Sequence, residues 1–143
     1  MESWVIYALL ASVSWGVYIV ISKLALDGKG SSPFLVALLM GFGIMGLFGI
    51  LFLATRPALE MGAQGVGLAV AAGAVWALGQ IFAIMALVNR APVAKLAPLY
   101  NTNTLIAVLL GIILLKELPS GFEKVKVLIG AALIVIGGIL VSS

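Results

Sequence analysis

The sequence predicts an all-α integral membrane protein with five transmembrane helices. Hydrophobic residues make up 64% of the 143 residues and charged residues only 9%, and the mean hydropathy is +1.30. Soluble globular domains are about 45–50% apolar and about 25% charged. The apolar residues form long runs that are separated by short loops rich in glycine, proline and charge. Because the loops are short, we expect consecutive helices to be antiparallel neighbours.

Residues 1–143 are predicted to form a single transmembrane domain. Its predicted spans are residues 4–26, 34–55, 66–88, 93–115 and 122–141. Turn-forming residues mark the ends of the first four spans, at residues 27–33, 56–65, 89–92 and 116–121. The apolar part of the fifth span is short, so we expect this span to extend back to Phe122, with Lys124 and Lys126 reaching the headgroups.

The fourth span combines an apolar length with a polar centre. Residues 100–104 in its middle are Tyr, Asn, Thr, Asn and Thr. A buried amide or hydroxyl without a hydrogen-bond partner costs roughly 2–7 kcal/mol, so such residues face the interior of a helix bundle or a wet cavity. Pro98 lacks a backbone donor and predicts a kink just before them. The pattern predicts a pocket inside the membrane, with buried helix–helix contacts as the alternative.

Two other spans carry polar or aromatic side chains at a similar depth. Aromatic walls with a few orienting amides and hydroxyls suit a small amphipathic solute. The candidate substrate-binding residues are Trp15, Tyr18, Trp76, Gln80, Tyr100, Asn101, Asn103 and Thr104. Lys23 and Lys95 lie about one turn inside their helix ends and are candidate contacts for an anionic group. Alternatively, they extend to the lipid headgroups.

The residue types that are missing exclude several classes of function. The chain has no cysteine and no histidine, which excludes thiolate metal sites and imidazole proton relays. Ser22 and Lys23 are adjacent, so they diverge on a helix and do not form a catalytic dyad. We therefore predict no enzymatic activity, no cofactor and no metal. No Asp or Glu lies within a span, which argues against proton coupling through a carboxylate, and the dispersed net charge of +3 argues against nucleic acid as a partner.

Lysine and arginine are divided equally between the two membrane faces. The face of the N-terminus, loop two and loop four has four: Arg56, Lys116, Lys124 and Lys126. The other face also has four: Lys23, Lys29, Arg90 and Lys95. Because the excess of positive charge sets orientation, equal counts predict that both orientations form. Two copies of opposite orientation would then pair as an antiparallel homodimer and reproduce the inverted repeat of many transporters.

Glycine is abundant, with 17 residues, many of them within the predicted spans. Small residues allow close helix approach, which is a main source of packing energy in lipid. Gly130 and Gly137 are seven residues apart and share one face of the fifth span. Most of the glycines are therefore predicted to serve helix packing.

Short segments along the whole chain carry a family resemblance. They are Ser14-Trp15-Gly16 and Ser22-Lys23-Leu24-Ala25 in span one, Ala97-Pro98 and Leu115-Lys116-Glu117 in span four, and residues 130–138 in span five. In their order and spacing these segments resemble an EamA-type domain of the drug/metabolite transporter superfamily. The chain is similar to the short, single-domain, five-helix members.

The resemblance implies a membrane transporter of small metabolites such as amino acids, sugars or nucleotide sugars. Most members have two such domains in opposite orientations, so this chain would be half of a ten-helix inverted-repeat transporter completed by a homodimer. The first four helices of each half would surround a central mid-membrane cavity with alternating access. The implied location is a prokaryotic cytoplasmic (inner) membrane.

Other functions are left open by the sequence. The chain would act as a non-transporting membrane scaffold or subunit if its polar centre were buried against another chain. It would act as a flippase or exporter if Lys23 or Lys95 met the phosphate of a lipid-linked solute, or if the cavity took a drug-like solute. The four-helix small multidrug transporters of the same superfamily are a rival possibility, but they depend on a glutamate in the first span, where this chain has Ser12, Ser14 and Trp15.

Overall fold

The secondary structure is helical, as predicted. The computed structural model describes residues 3–28, 30–117 and 121–142, with Phe122 and Ser142 described by their backbone only. These residues contain no strand and include five helical stretches that are long and apolar enough to cross a membrane. The predicted all-α membrane fold class is therefore confirmed. Lys29 of the charge count and residues 118–120 of loop four lie outside the described residues.

Four of the five spans are uninterrupted helices. They are α1 (Ser3–Asp27), α2 (Pro33–Thr55), α3 (Ala63–Val88) and, at the end of the chain, α6 (Phe122–Ser142). Pro33 stands in the first turn of α2, where its missing N–H would have had no helical acceptor. Large apolar side chains are exposed along all four helices, which is the surface that a helix presents to lipid or to a partner helix.

The fourth span is broken into three pieces. They are α4 (Val93–Tyr100), α5 (Asn103–Leu110) and a π-helical turn (Gly111–Leu115). Pro98 lies inside α4 and has no N–H to donate to the carbonyl four residues earlier. The regular α-helix is interrupted at residues 101–102 rather than at the proline itself: both residues keep right-handed helical dihedral angles, but the hydrogen bonds there tighten to a spacing of three residues. The bend angle predicted at Pro98 stays a prediction.

The helices divide into two compact units. One unit contains α1 up to Ile19 together with α4, α5, the π-helical turn and α6. The other contains α1 from Val20 onward together with α2 and α3. In the first unit α6 packs against both α4 and α5, and in the second α2 packs against α3.

Close packing in the first unit depends on small residues of α6. Ala131 is only 3% exposed and Gly138, seven residues later, is also buried. A Cβ atom at Gly138 would lie 2.9 Å from Cγ2 of Thr102 and 3.0 Å from the carbonyl oxygen of Pro98. Gly138 therefore lets the backbone of α6 approach the broken span closely, which is how helices gain packing energy in lipid.

The packed face of α6 differs slightly from the face marked by its glycine spacing. Gly130 and Gly137 are only partly buried, whereas the next residues, Ala131 and Gly138, are buried. A Cβ atom at Gly137 would have no neighbour within 4 Å. The contact of α6 with the fourth span is therefore centred on Ala131 and Gly138, each one residue after the glycine that the spacing indicated.

Three helix ends are closed by a positively charged residue in the left-handed conformation. Arg56 follows α2 with φ 44°, Arg90 lies at the end of α3 with φ 64°, and Lys116 follows the π-helical turn with φ 56°. Among the described residues, no other non-glycine residue has a positive φ. The left-handed conformation costs a non-glycine residue roughly 1–2 kcal/mol, and a cation at a helix carboxyl end recovers about 0.3–1 kcal/mol. Glycine, the usual residue at such ends, would be less strained there.

Candidate functional site

The break in span four is held by two threonine hydroxyls. Thr102 Oγ1 donates to the carbonyl oxygen of Leu99 at 2.7 Å, and the Thr102 N–H donates to the same oxygen at 3.1 Å. Thr104 Oγ1 and its N–H likewise donate to the carbonyl oxygen of Asn101, at 2.8 and 3.1 Å. Each threonine thus closes a tight turn with its own backbone. Because the Thr104 proton is used locally, only its oxygen lone pairs are left for a solute.

Asn101 and Asn103 differ from these threonines. Both side chains are exposed, and neither has a hydrogen bond to another residue within the described part of the chain. A carboxamide has two donors and two acceptor lone pairs. In hydrocarbon an unpaired group of this kind costs roughly 2–7 kcal/mol. These two side chains therefore need a partner beyond the described residues: water, a solute or another protein surface.

Aromatic residues of α1 lie in the same unit as the break. The phenol groups of Tyr18 and Tyr100 are close enough to interact electrostatically, and both side chains are partly buried. Trp15 is 62% exposed, so most of its ring is left uncovered by its own chain. Tyr18 and Tyr100 are thus the predicted wall residues of this unit between which an electrostatic interaction is found.

A cavity of about 170 Å³ lies between α2 and α3 in the second unit. Its lining residues are Ala37, Met40, Gly41, Ile44, Trp76, Ala77, Gln80, Ile81 and Ile84. The predicted residues Trp76 and Gln80 thus lie in one pocket, as their spacing of four residues indicated. An apolar cavity of about 150 Å³ holds a benzene ring, so this pocket has the size of a single ring or a short branched chain.

Sequence reasoning missed the α2 side of this pocket. Residues 34–54 carry no polar side chain, so nothing distinguished the pocket side of the helix from its lipid side. Gly41 is one of the lining residues, and nothing lies within 4 Å of a Cβ placed there. In the sequence, Gly41 is only one of several glycines suited to helix packing.

The two candidate anion contacts have different surroundings. Lys23 Nζ lies 2.8 Å from Asp27 Oδ1, one turn further along α1. This pair is partly exposed and contributes little stability, but it gives Lys23 an anionic partner within its own helix. Lys95 is exposed in the first turn of α4. Contact of either lysine with an anionic solute stays a prediction. Among the described residues, no cluster of acidic, histidine or cysteine side chains has the arrangement of a metal site.

Comparison with known families identifies the chain. The model of the EamA-like transporter family matches residues 2–143. The chain belongs to the EamA-like transporter family. Comparison with curated proteins and with solved structures gave no match. Family membership and the five apolar helices make the chain an integral membrane protein of a transporter family.

The candidate residues of this EamA-like protein are divided between its two units. Trp15, Tyr18 and the polar residues of the break belong to one unit, whereas Trp76 and Gln80 belong to the other. Each unit therefore has its own polar or aromatic group at a helix–helix contact or a helix break. That these groups line one common cavity stays a prediction.

Proposed function

We propose that this EamA-like protein transports a small metabolite across a prokaryotic cytoplasmic membrane. Two copies of opposite orientation form an antiparallel homodimer, and a central mid-membrane cavity opens alternately to either side. The observation that carries this proposal is the pair of exposed carboxamides, Asn101 and Asn103, at a helix break in the middle of an apolar span.

Hydrogen-bonding groups at that depth suit a solvated cavity better than lipid. Discontinuous spanning helices occur where their backbone lines a cavity or is covered by protein. The amides of Asn101 and Asn103 would orient a solute by hydrogen bonds, with Tyr100 as part of the aromatic wall. Trp76 and Gln80 at the α2–α3 pocket would receive an apolar group of ring size. The proposal therefore favours an amphipathic solute that presents both kinds of surface.

Equal charge on the two faces supports the antiparallel homodimer. Adding one lysine to one face should therefore bias insertion. Ser32 suits this test because it precedes α2 and its side chain makes no capping hydrogen bond. We expect the native chain to show each terminus on both sides of the membrane, and Ser32→Lys to favour one orientation. Tags at both termini, tested for accessibility in intact and in inverted vesicles, measure this.

A compensating change provides the control. Gln64 is exposed in the first turn of α3 on the opposite face, so Ser32→Lys combined with Gln64→Lys restores equal counts. The double variant should recover both orientations. Solute flux should fall in Ser32→Lys and return to the native level in the double variant. A native chain with a single orientation would remove the antiparallel homodimer, although not transport itself.

Filling the α2–α3 pocket should reduce transport without unfolding the protein. Gly41 lines the pocket, and a Cβ there meets no neighbour within 4 Å, so Gly41→Val fills space rather than forcing a clash at the first atom. Gly43→Val is the matched control, because Gly43 is equally open but is absent from the pocket lining. Flux into proteoliposomes should drop several-fold for Gly41→Val only. Equal flux in the two variants would show that the pocket takes no part in transport.

The scaffold alternative makes a different prediction. Thr102 and Thr104 already satisfy backbone carbonyls, as they would in a span that only packs against other helices. Reconstituted protein would then take up no amino acid or sugar from a broad panel, and it would copurify with a stable hetero-partner. Uptake of any member of that panel above the level of empty liposomes favours transport.

A further inference from the structure

Three helix ends carry a left-handed arginine or lysine residue whose side chain is not needed to close the helix. The backbone N–H of Arg56 donates to Phe52 and that of Arg90 to Leu87, both at 2.9 Å, and the Lys116 N–H donates to Gly111. These bonds close the helix ends with backbone atoms alone, and glycine would form them with less strain. Glycine is plentiful in this chain, with 17 residues against eight lysines and arginines. The strained positions nevertheless all carry a cation.

No partner within the described part of the chain explains these cations. All three side chains are exposed, and none of them forms an ion pair with another described residue. The helix dipole favours a cation at each of these ends, but by less than the left-handed conformation costs. Some further partner therefore has to favour arginine or lysine over glycine at these three positions.

Their position along the chain indicates what that partner is. Arg56 and Lys116 are the first residues after their spanning helices and Arg90 is the second residue after α3, so each lies at the boundary between hydrocarbon and water, where lipid phosphates are found. The predicted alternate crossing of the spans would place Arg56 and Lys116 at one face and Arg90 at the other. We propose that Arg56, Arg90 and Lys116 bind the phosphates of anionic phospholipids and hold the carboxyl ends of their helices at the two bilayer surfaces. This inference does not depend on the proposed transport function.

The test uses the purified full-length chain in a neutral detergent. Its melting temperature is followed by tryptophan fluorescence, alone and with phosphatidylglycerol, phosphatidylcholine or inorganic phosphate. For the native chain, phosphatidylglycerol should raise the melting temperature more than either other addition. In the triple variant Arg56→Gly, Arg90→Gly, Lys116→Gly, the melting temperature without lipid should be unchanged or higher because strain is removed, and at least half of the increase caused by phosphatidylglycerol should be lost.

Two controls make the result specific. The triple exchange Arg56→Lys, Arg90→Lys, Lys116→Arg keeps each charge and should keep the increase. Lys124→Gln removes a charge from the same face as Arg56, but at an exposed position in the first turn of α6, and should cost less of the increase than Arg56→Gly. The proposal is overturned if the triple glycine variant keeps the full increase or melts lower without lipid. It is also overturned if inorganic phosphate reproduces the effect, if the charge-keeping exchange loses it, or if Lys124→Gln equals Arg56→Gly.

Discussion

Replacing Asn103 by alanine is expected to lower solute flux roughly five- to thirtyfold, because a hydrogen bond to a desolvated solute contributes on the order of 1–2 kcal/mol. The substrate is first chosen from amino acids and sugars that native proteoliposomes take up. The Asn103 side chain is exposed and has no hydrogen-bond partner within the described part of the chain, so its loss should disturb the fold little. Gln80→Ala should also reduce flux, through the α2–α3 pocket.

Asn89→Ala is the matched control for Asn103→Ala. Asn89 is another exposed asparagine, but it lies at the end of α3 and donates to its own helix, to the Met85 carbonyl oxygen at 2.7 Å. Flux should be nearly unchanged in this variant. Normal flux in both Asn103→Ala and Gln80→Ala would show that the substrate-binding assignment is wrong.

Cysteine labelling tests the cavity without knowledge of the substrate. The native chain has no cysteine, so Asn103→Cys introduces a single thiol at the break. A charged, membrane-impermeant thiol reagent should label it from at least one side of the membrane. Met45→Cys, at an exposed apolar position in the middle of α2, should stay unlabelled. Labelling at 103 with normal flux in Asn103→Ala would support the cavity and reject only the role of that side chain.

Gly138→Ala is expected to destabilise the protein by about 1–3 kcal/mol, the usual effect of overpacking a well-packed contact. The added methyl group would lie 3.0 Å from the backbone oxygen of Pro98, and a backbone atom in a helix cannot move aside easily. Gly137→Ala adds the same group into open space and should be neutral or slightly stabilising, because alanine favours helix. Melting temperatures in detergent should differ by several degrees between the two variants.

A second-site change separates the two contacts of Gly138. Thr102→Ser keeps the hydroxyl that closes the turn but removes Cγ2, which lies 2.9 Å from the position that the added methyl group would occupy. Combined with Gly138→Ala, it should restore part of the lost stability, and the double-mutant cycle measures the coupling. If Gly137→Ala and Gly138→Ala melt at the same temperature, the close approach of α6 to the broken span is not a source of stability.

The predictions for Asn103 and for Gly138 both concern the interrupted part of the fourth span. The Thr102 N–H donates to Leu99 rather than to Pro98, so the Pro98 carbonyl oxygen is left out of the regular helix pattern and faces the backbone of Gly138. Close contacts between Cα–H groups and carbonyl oxygens are common where helices pack. Helix α6 thus covers one side of the break with backbone atoms, while Asn101 and Asn103 stay exposed.

Part of the fold could be predicted from single residues and their periodicity. Long apolar runs determine the membrane-spanning helices, because only a helix satisfies its own backbone within lipid. Pro98 predicted a kink in the fourth span for the same local reason: a missing donor is a property of one residue. The segments that resemble the EamA family likewise follow from the order of residues, and the family match bears this out.

Other features of the fold depend on which helix surfaces pack against each other. Spacing could not distinguish Gly137 from Gly138, since adjacent residues on a helix point about 100° apart and only packing shows which one faces a neighbour. Nor could it show the α2 side of the pocket, because every side of that helix is apolar. The exact site of the break depends on competition between the helix pattern and the hydroxyls of Thr102 and Thr104.

Composition and local hydrogen-bonding capacity therefore determined that this chain spans a membrane in five helices and that the fourth is interrupted near Pro98. Only the tertiary structure decided that Gly138 carries the contact with the break, that Gly41 and Trp76 line one pocket, and that Asn101 and Asn103 are left without partners in the described part of the chain. The physical reason is that lipid exerts no hydrophobic force that would select one apolar helix face over another. Shape complementarity makes that selection, and it requires both surfaces.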